Sequence, residues 1–421
     1  MQRYIKWQSE YSFQSEKEFS GFVVAIAATY GGMMSVFSKN WILELVKRGA
    51  EVHFIASNKP IYGNPPPIND LEAMGGRFHG INLCSSFSPL NDMRAVIELT
   101  NVLRSLQVDI LHTRGSVMGL LGRLAGRLAA VSCIFHHQDD LFARDLKHSN
   151  ITRRCIGLIE SAFSRLSHKN IFVSCAVLEN ALSFGFDKKK CVEVGNDIHP
   201  DFLKYLKKRD PNSGKRHDLL DELGIPENAF VIGCIGRLLE LKGIDTLIRI
   251  ARTICKEHHD CYFVVKGDGP EKGKLLQMIA LSNLQDRFFL YDKWIPVKEL
   301  PAVYKSFDIF VLPTRREGFG MVFAEAMAAE VPVVGPKIRP ITEIVPNHCG
   351  ILVEAEDTNA YCGAIRKLFK DNRMREVLGR TGSEYALKFY GGKNSSKEII
   401  DVYQKSICDL KRGVLDVPKT V

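Results

Sequence analysis

Short apolar runs, each closed by a turn rich in glycine or acidic residues, alternate along this chain with stretches whose apolar positions recur at helical spacing. The first run, GFVVAIA over 21–27, predicts a buried strand. The turn Ala28-Thr29-Tyr30-Gly31-Gly32 follows, then a helix over 35–47 stopped by Gly49, then a strand over 51–56. This is a βαβ unit with Gly31 and Gly32 at the helix mouth. Further strands are expected at 108–112, 132–136, 169–174 and 191–194, and helices at 96–106, 119–130 and 156–166. The strand at 132–136 empties into His137-Gln138-Asp139-Asp140, a polar cluster at a carboxyl end, where ligands bind in open α/β sheets. Arg123 and Arg127 share one face of the small-residue helix 119–130, a face expected to be solvated or turned toward phosphate, with membrane contact a minor option.

The texture changes between Lys204 and Arg216, where six basic residues accompany Pro211 and Gly214 in a solvated, linker-like run. The alternation then restarts, with strands expected at 230–235, 262–266, 309–312, 331–334 and 350–353. The helices of this second string fall at 246–256, 274–281, 321–330, 358–370, 373–378 and 395–410. Two strings of alternating strands and helices predict an α/β protein of two Rossmann-like domains facing each other across a cleft. Their bounds are 21–203 and 217–392, with 1–20 as an N-terminal extension.

Composition narrows the class. At 421 residues the chain is longer than one core usually organises. Eleven cysteines, scattered singly with no CxxC pair, suit reduced, packed thiols in a cytoplasm. The first twenty residues lack a signal-peptide core, and every apolar run falls far short of the ~20 residues a membrane span needs. The net charge of +9 is spread, with +4 on 1–200 and +5 on the rest. Phosphorylated substrates or an anionic inner-membrane surface are suitable partners. Nothing supports nucleic acid.

The most informative stretch is 309–335, IFVLPTRREGFGMVFAEAMAAEVPVVG. A strand, a glycine-bearing turn, a helix and another strand make a second βαβ unit, whose turn offers free N–H groups to an anion. Glu317 sits in that turn and Glu325 eight residues on, about one turn into the helix. An acid near a helix N-terminus also serves the helix dipole, but Glu325 lies among alanines and methionine, where a carboxylate needs a partner. Sugar hydroxyl pairs would serve both acids. Arg237 and Lys242, five apart around the turn after strand 230–235, suit phosphates, as do the amides of Gly318, Phe319, Gly320 and Met321. No Asp-x-Asp pair suggests a diphosphate-bound metal, so cationic side chains and the helix dipole are expected to stabilise the leaving group.

At these residues the sequence resembles the retaining GT-B glycosyltransferases of family 4, from Gly21 to about Tyr403. GRLLELKGIDTLI (236–248), VVKGDGPEKGKL (264–275) and LPTRREGFGMVFAEAMAAEVPVV (312–334) follow the family's C-terminal-domain pattern, and Glu317 and Glu325 reproduce its Glu-x7-Glu spacing. HTRGSVMGLLGRLAGRLAAV (112–131) looks like a segment of its N-terminal domains. The resemblance implies a nucleotide-sugar donor, such as a UDP- or GDP-sugar, bound mainly by the second domain without a metal or other cofactor. Arg237 and Lys242 would hold its diphosphate, Glu325 the ribose and Glu317 the transferred sugar. The amides of Phe319, Gly320 and Met321 would face the donor, with Gly31 and Gly32 approaching from the first domain. Transfer to a glycan or lipid-linked acceptor would retain anomeric configuration, in a surface-polysaccharide or lipopolysaccharide pathway. The last helix, about 393–412, would pack back on the first domain. The family places a histidine just past the strand ending near His136, and here either His137 or Asp139 takes that role. Acceptor selection is expected in the loops 58–89 and 138–153.

Two other readings use the same residues. Gly267-Asp268-Gly269 after a strand, with Asp292 about 25 residues on, sketches a dinucleotide oxidoreductase, but Gly273 falls one residue late and Pro270 removes an amide. A non-catalytic sugar-nucleotide or glycan-binding protein would keep the cations and lose the chemistry.

Overall fold

The computed structural model describes residues 18–59, 66–83, 88–142, 149–207, 218–392 and 394–411. The chain forms two compact units, 1–197 with 392–421, and 198–391. Most of the 1–20 extension, parts of the 58–89 and 138–153 loops, and the 204–216 linker beyond Lys207 lie outside the described residues.

Unit 1 is built on seven strands: β1 (Val23–Ala28), β2 (Glu51–Ser57), β3 (Arg77–Ile81), β4 (Ile110–Arg114), β5 (Cys133–Gln138), β6 (Lys169–Phe172) and β7 (Cys191–Glu193). They pair in parallel in the order β3-β2-β1-β4-β5-β6-β7. Unit 2 is built on six: β8 (Phe230–Ile235), β9 (Cys261–Lys266), β10 (Phe288–Tyr291), β11 (Ile309–Val311), β12 (Val333–Pro336) and β13 (Gly350–Val353). Their order is β10-β9-β8-β11-β12-β13, again all parallel. Every residue of β4, β5, β8 and β11 is buried, as expected of central strands covered on both faces. In each sheet the strand order reverses once, at β1/β4 and at β8/β11, and those switch points are where α/β sheets open a crevice for ligands.

The unit 1 core has a layer on each side of its sheet. One joins Trp41, Phe54 and Phe135 to Tyr403, Ile407 and Leu410 of the last helix, Asn394–Lys411. Tyr403 stacks on Phe135 at 4.5 Å, and its hydroxyl lies 2.7 Å from His112 Nδ1. The other layer packs Val96, Leu99, Met118 and Ala125 on Ala25, Leu111 and Ile134.

Four expectations need correcting. The helix over 35–47 is two helices, Gly32–Phe37 and Lys39–Lys47, parted at Ser38, whose hydroxyl accepts a hydrogen bond from Arg114 at 3.0 Å. The first unit ends at 197 rather than 203, because the helix Pro200–Lys207 packs within unit 2, where Phe202 meets Tyr304 edge-on at 5.8 Å. The strand expected to end at His136 runs on to Gln138, which draws His137 into the sheet. Finally, Arg123 and Arg127 do not form a solvated or phosphate-facing stripe. Arg123 is 2% exposed and donates to Gly119 O and Asn170 Oδ1, while Arg127 Nε donates to Leu166 O at 2.7 Å. Both guanidiniums bond to backbone or amide oxygens of unit 1.

Candidate active site

The unit 2 switch point brings together residues far apart in sequence. After β8 the chain runs through Arg237 into a short 3-10 turn, Glu240–Lys242, and leaves through Gly243 in the left-handed conformation (φ 68°). A Cβ on Gly243 would stand 2.0 Å from Pro313 O, so only glycine lets this loop lie against the end of β11. The two loops are then tied by backbone and side chain. Arg315 N donates to Leu241 O at 2.7 Å, and Thr314 Oγ1 donates to Leu241 O at 3.0 Å. The Arg315 guanidinium forks onto both Asp245 oxygens at 2.8 and 2.9 Å and reaches Glu356 at 2.7 Å. Burial works against the Asp245 anion, but Arg315 outweighs it and holds the carboxyl below its ordinary value.

This scaffold sets Lys242 against Glu317. Lys242 Nζ donates to Glu317 Oε1 at 2.5 Å, and the two side chains keep 17% and 9% of their surface exposed. A cation from one loop and a carboxylate from the other thus share the crevice mouth at the carboxyl ends of β8 and β11. Arg237 is exposed on the same β8 loop.

Beyond Glu317 the turn reaches Gly320 at φ 107°, which caps the helix Met321–Ala328. Phe319 is buried with its ring edge-on to Tyr390 at 5.8 Å, and Met321 is buried as well. The backbone of 318–321 is thereby fixed at a helix N-terminus, where amides favour negative charge. Glu325 stands one turn further along. Its Oε2 accepts from the Tyr304 hydroxyl at 2.8 Å, within a pocket that Tyr304 shares with Phe307 and Phe310. The side chain keeps some solvent contact, yet burial pushes its carboxyl up to about 7, with the Tyr304 hydrogen bond pulling the other way. Glu325 and Glu317 therefore have different partners, the Tyr304 hydroxyl and the Lys242 ammonium.

In unit 1 the switch point is filled differently. Arg114 ends β4 with 1% of its side chain exposed and forks onto Asp139, at 2.5 Å to Oδ1 from Nη2 and 3.0 Å to Oδ2 from Nε. It also donates to Asn196 Oδ1 at 3.1 Å and to Ser38. Asp139, 31% exposed, is the open end of this cluster. His137 is 2% exposed, 5.5 Å ring to ring from His112, and neither ring nitrogen has a hydrogen-bond partner. Burial first, then Arg114, His112 and His136, hold it neutral far below the usual histidine range. His136 is fully engaged, with Thr113 Oγ1 at 2.9 Å and Gln138 Oε1 at 2.5 Å. Gly31 is buried under Pro67 and Leu71, and Gly32 leaves room for the Tyr30 ring, which a Cβ would meet at 2.3 Å. Both glycines thus shape the loop after β1.

The glycines that sketched a dinucleotide site have a packing explanation. A Cβ on Gly267 would lie 1.8 Å from Gly236 O, and one on Gly269 would lie 2.4 Å from Leu238 O. They let the loop after β9 run against the loop after β8, where Leu238 N donates to Asp268 O at 2.9 Å. Asp292, the candidate ribose acid of that reading, is ion-paired with Lys272. Among the described residues no group of three or more His, Cys, Asp or Glu side chains is arranged to hold a metal.

Tyr304, Asp245, Arg315, Arg114 and Asn196 are absent from the sequence-derived set. Arg114 alone left a signal, a charge closing an otherwise apolar strand; the others take their place only from the tertiary fold.

Comparison with known proteins gives these sites a context. Residues 215–385 match the family model for glycosyl transferases group 1, and residues 31–202 match that for Glycosyltransferase Family 4. The chain is 25% identical over 396 residues to the D-inositol 3-phosphate glycosyltransferase of Corynebacterium urealyticum, covering 89% of this chain and 90% of that one. It is 27% identical to the UDP-Gal:alpha-D-GlcNAc-diphosphoundecaprenol alpha-1,3-galactosyltransferase of Escherichia coli, covering 79% and 84%. Among solved structures, Anabaena Alr3699/HepE in complex with UDP and glucose superposes with a TM-score of 0.75 at 17% identity, over 91% of this chain and all of that one (100%). The two parallel α/β units are those of the GT-B fold. With one family model on each unit, the chain belongs to the group 1, family 4 glycosyltransferases.

Proposed function

We propose that unit 2 binds the donor, a nucleoside diphosphate sugar, at the β8/β11 switch point, and that transfer retains anomeric configuration. The observation that carries this reading is the Lys242–Glu317 pair at 2.5 Å. It puts a phosphate-binding cation beside an acceptor of sugar hydroxyl hydrogen bonds, at the mouth of a crevice where a helix N-terminus supplies amides. Lys242 and Arg237 take the diphosphate, with the amides of Gly318, Phe319, Gly320 and Met321 on its remaining oxygens. Glu317 turns to the transferred sugar, and Glu325 accepts from the ribose hydroxyls. These cations and the helix dipole stabilise the departing diphosphate, and no metal is assigned to the step. In unit 1, Asp139 takes the role facing the transferred sugar. Its partial exposure and its anchorage on Arg114 support it over His137, which is buried within β5.

The acceptor is a glycan or a lipid-linked sugar. The Escherichia coli relative's name specifies a diphosphoundecaprenol-linked acceptor and a UDP-galactose donor, so UDP-sugars are the first donors to try. A relative of 24% identity is the capsular polysaccharide biosynthesis glycosyltransferase CapM of Staphylococcus aureus, which places surface-polysaccharide synthesis first among pathways to test. Incubation with a panel of UDP- and GDP-sugars, followed by mass spectrometry, tests the assignment. Donor hydrolysis or transfer that disappears in Lys242→Ala supports it. Binding without turnover would indicate a non-catalytic sugar-nucleotide module.

A further inference from the structure

Three consecutive helices of unit 1, Pro89–Ser105, Ser116–Leu128 and Asn150–Ser164, adjoin one another in that order. Each seam carries an arginine. Arg104 Nη2 donates to Leu128 O at 2.7 Å across the first, and Arg127 Nε donates to Leu166 O, just past the third helix, at 2.7 Å.

A surface helix ordinarily buries its apolar stripe and shows water its polar one. Asn150–Ser164 does the reverse. Its buried residues are Gly157, Glu160, Ser161 and Ser164. Its outward stripe carries Ile151, 79% exposed, and Leu158 and Ile159, each more than half exposed. The middle helix turns Gly119, Gly122 and Gly126 to the sheet, where a Cβ would overlap His136, Thr113 and Leu111. Its Leu124 and Leu128, one turn apart, stand outside. Pro89–Ser105 buries Ala95, Leu99 and Leu103 yet also shows Leu90, 70% exposed, with Met93 and Ile97 more than half exposed. Single exposed apolar residues are ordinary, but repeated helical spacing on three adjoining helices makes an extended patch of the kind that marks an interaction surface.

Among the described residues, the fully exposed charges on these helices and their ends are cationic. Arg94, Arg104, Arg154 and Arg165 are exposed on these helices and their ends. Of the acids on these helices, Asp92 and Glu160 are buried, while the half-buried Glu98 has its carboxylate engaged by Asn82 N at 3.1 Å. A second copy of this face would set arginines against arginines. Apolar side chains framed by cations match instead a layer with an acyl interior and phosphate headgroups.

We propose that this three-helix face of unit 1 docks on an anionic lipid bilayer, its apolar side chains entering the acyl boundary and its arginines pairing with lipid phosphates. The contact is interfacial, since no helix among the described residues is long and apolar enough to cross a membrane. Its use rests on the lipid-linked acceptor of the reading above, whereas the surface itself is argued from unit 1 alone.

The test is flotation of the full chain with phosphatidylcholine vesicles that contain or lack phosphatidylglycerol. Binding is expected to phosphatidylglycerol vesicles and to weaken with salt. The double variant Ile151→Glu, Leu158→Glu should lose about tenfold or more of it, as expected when apolar burial drives interfacial binding. Arg94→Gln with Arg154→Gln should erase the preference for phosphatidylglycerol. Wild-type protein that stays unbound, apolar variants that float like wild type, or charge variants that keep the full preference would each overturn the proposal. So would a concentration-dependent dimer in light scattering that the Ile151→Glu, Leu158→Glu pair abolishes, which would assign the face to a second copy. Donor hydrolysis is measured on the same proteins without vesicles. Failed flotation with intact hydrolysis overturns the docking surface alone, while absent hydrolysis in the wild type overturns the donor reading.

Discussion

The two units share a sheet plan and differ in what they place at its switch point. In unit 2 the position is held by a lysine and a glutamate that both reach solvent, 17% and 9% exposed, on loops clamped from behind by Arg315 and Asp245. In unit 1 it is held by Arg114, 1% exposed and bonded to Asp139, Asn196 and Ser38. One arrangement presents charge and the other locks it away. The same topological opening therefore holds a solvent-reaching ion pair in one unit and an internal strut with a single open acid in the other.

Substitutions separate these roles by what they change. The largest effect is expected for Lys242→Ala, which should lower donor turnover roughly 10²–10³-fold, the scale of removing one stabilising group from a developing charge. Its thermal midpoint should stay close to wild type. A large loss of stability with modest loss of turnover would make the lysine a strut like Arg114.

Asp139→Ala reverses the emphasis. It leaves the buried Arg114 guanidinium with only neutral partners described, and should cost about 2–4 kcal/mol in denaturant unfolding. An unfolding midpoint unchanged from wild type would contradict the strut.

Gly243→Ala tests whether the unit 2 loops need their close approach. A residue with a Cβ meets Pro313 O and is strained at φ 68°, so a loss of about 2 kcal/mol is expected in the same experiment.

The smallest effect is a pH shift at Glu325. Its carboxyl titrates at about 7, above its ordinary 4.5, so protonation is favoured in the fold. The stability tied to this group is fully present below pH 4.5 and is lost as pH rises through about 7. Donor affinity, read as KM against pH, should improve as the carboxylate forms. Tyr304→Phe removes a hydrogen bond worth about 1 kcal/mol and should move that midpoint upward. A midpoint that stays in place would show that the Tyr304 hydroxyl does not favour the Glu325 carboxylate.

The same contrast explains what the sequence revealed. Unit 2 was legible because Arg237, Lys242, Glu317 and Glu325 lie on two short segments, each directly after a buried apolar strand. Strand, turn and helix signals there are local, and the charged residues stand out against them. Unit 1 gathers Ser38, Arg114, Asp139 and Asn196 from four distant segments, and no local pattern announces their meeting. His137 was misplaced because a histidine pair before Gln138 and the acids reads as the end of a strand, whereas pairing with β6 carries β5 through Gln138. Glu325 was recognised as needing a partner, but Tyr304, 21 residues earlier, could only be named from the fold. The outward apolar faces of the unit 1 helices are not legible in the sequence, because periodicity reports that a helix is amphipathic without saying which side meets the sheet.

One feature of the chain path bears on how the protein is made. Unit 1 is interrupted: its chain leaves at 197 and resumes at 392, and Ser395 bonds Asp197 where the two segments meet. The side of its core containing Trp41, His112 and Phe135 is closed by Tyr403 of the last helix. On the ribosome, the first unit to begin is therefore the last to finish. The whole of 198–391 emerges, continuous and with its own sheet, while that earlier core still waits for the closing helix. A nascent chain stopped short of 394 would carry every residue proposed for donor binding in unit 2, yet would leave an aromatic wall of unit 1 uncovered for chaperones or proteases to recognise.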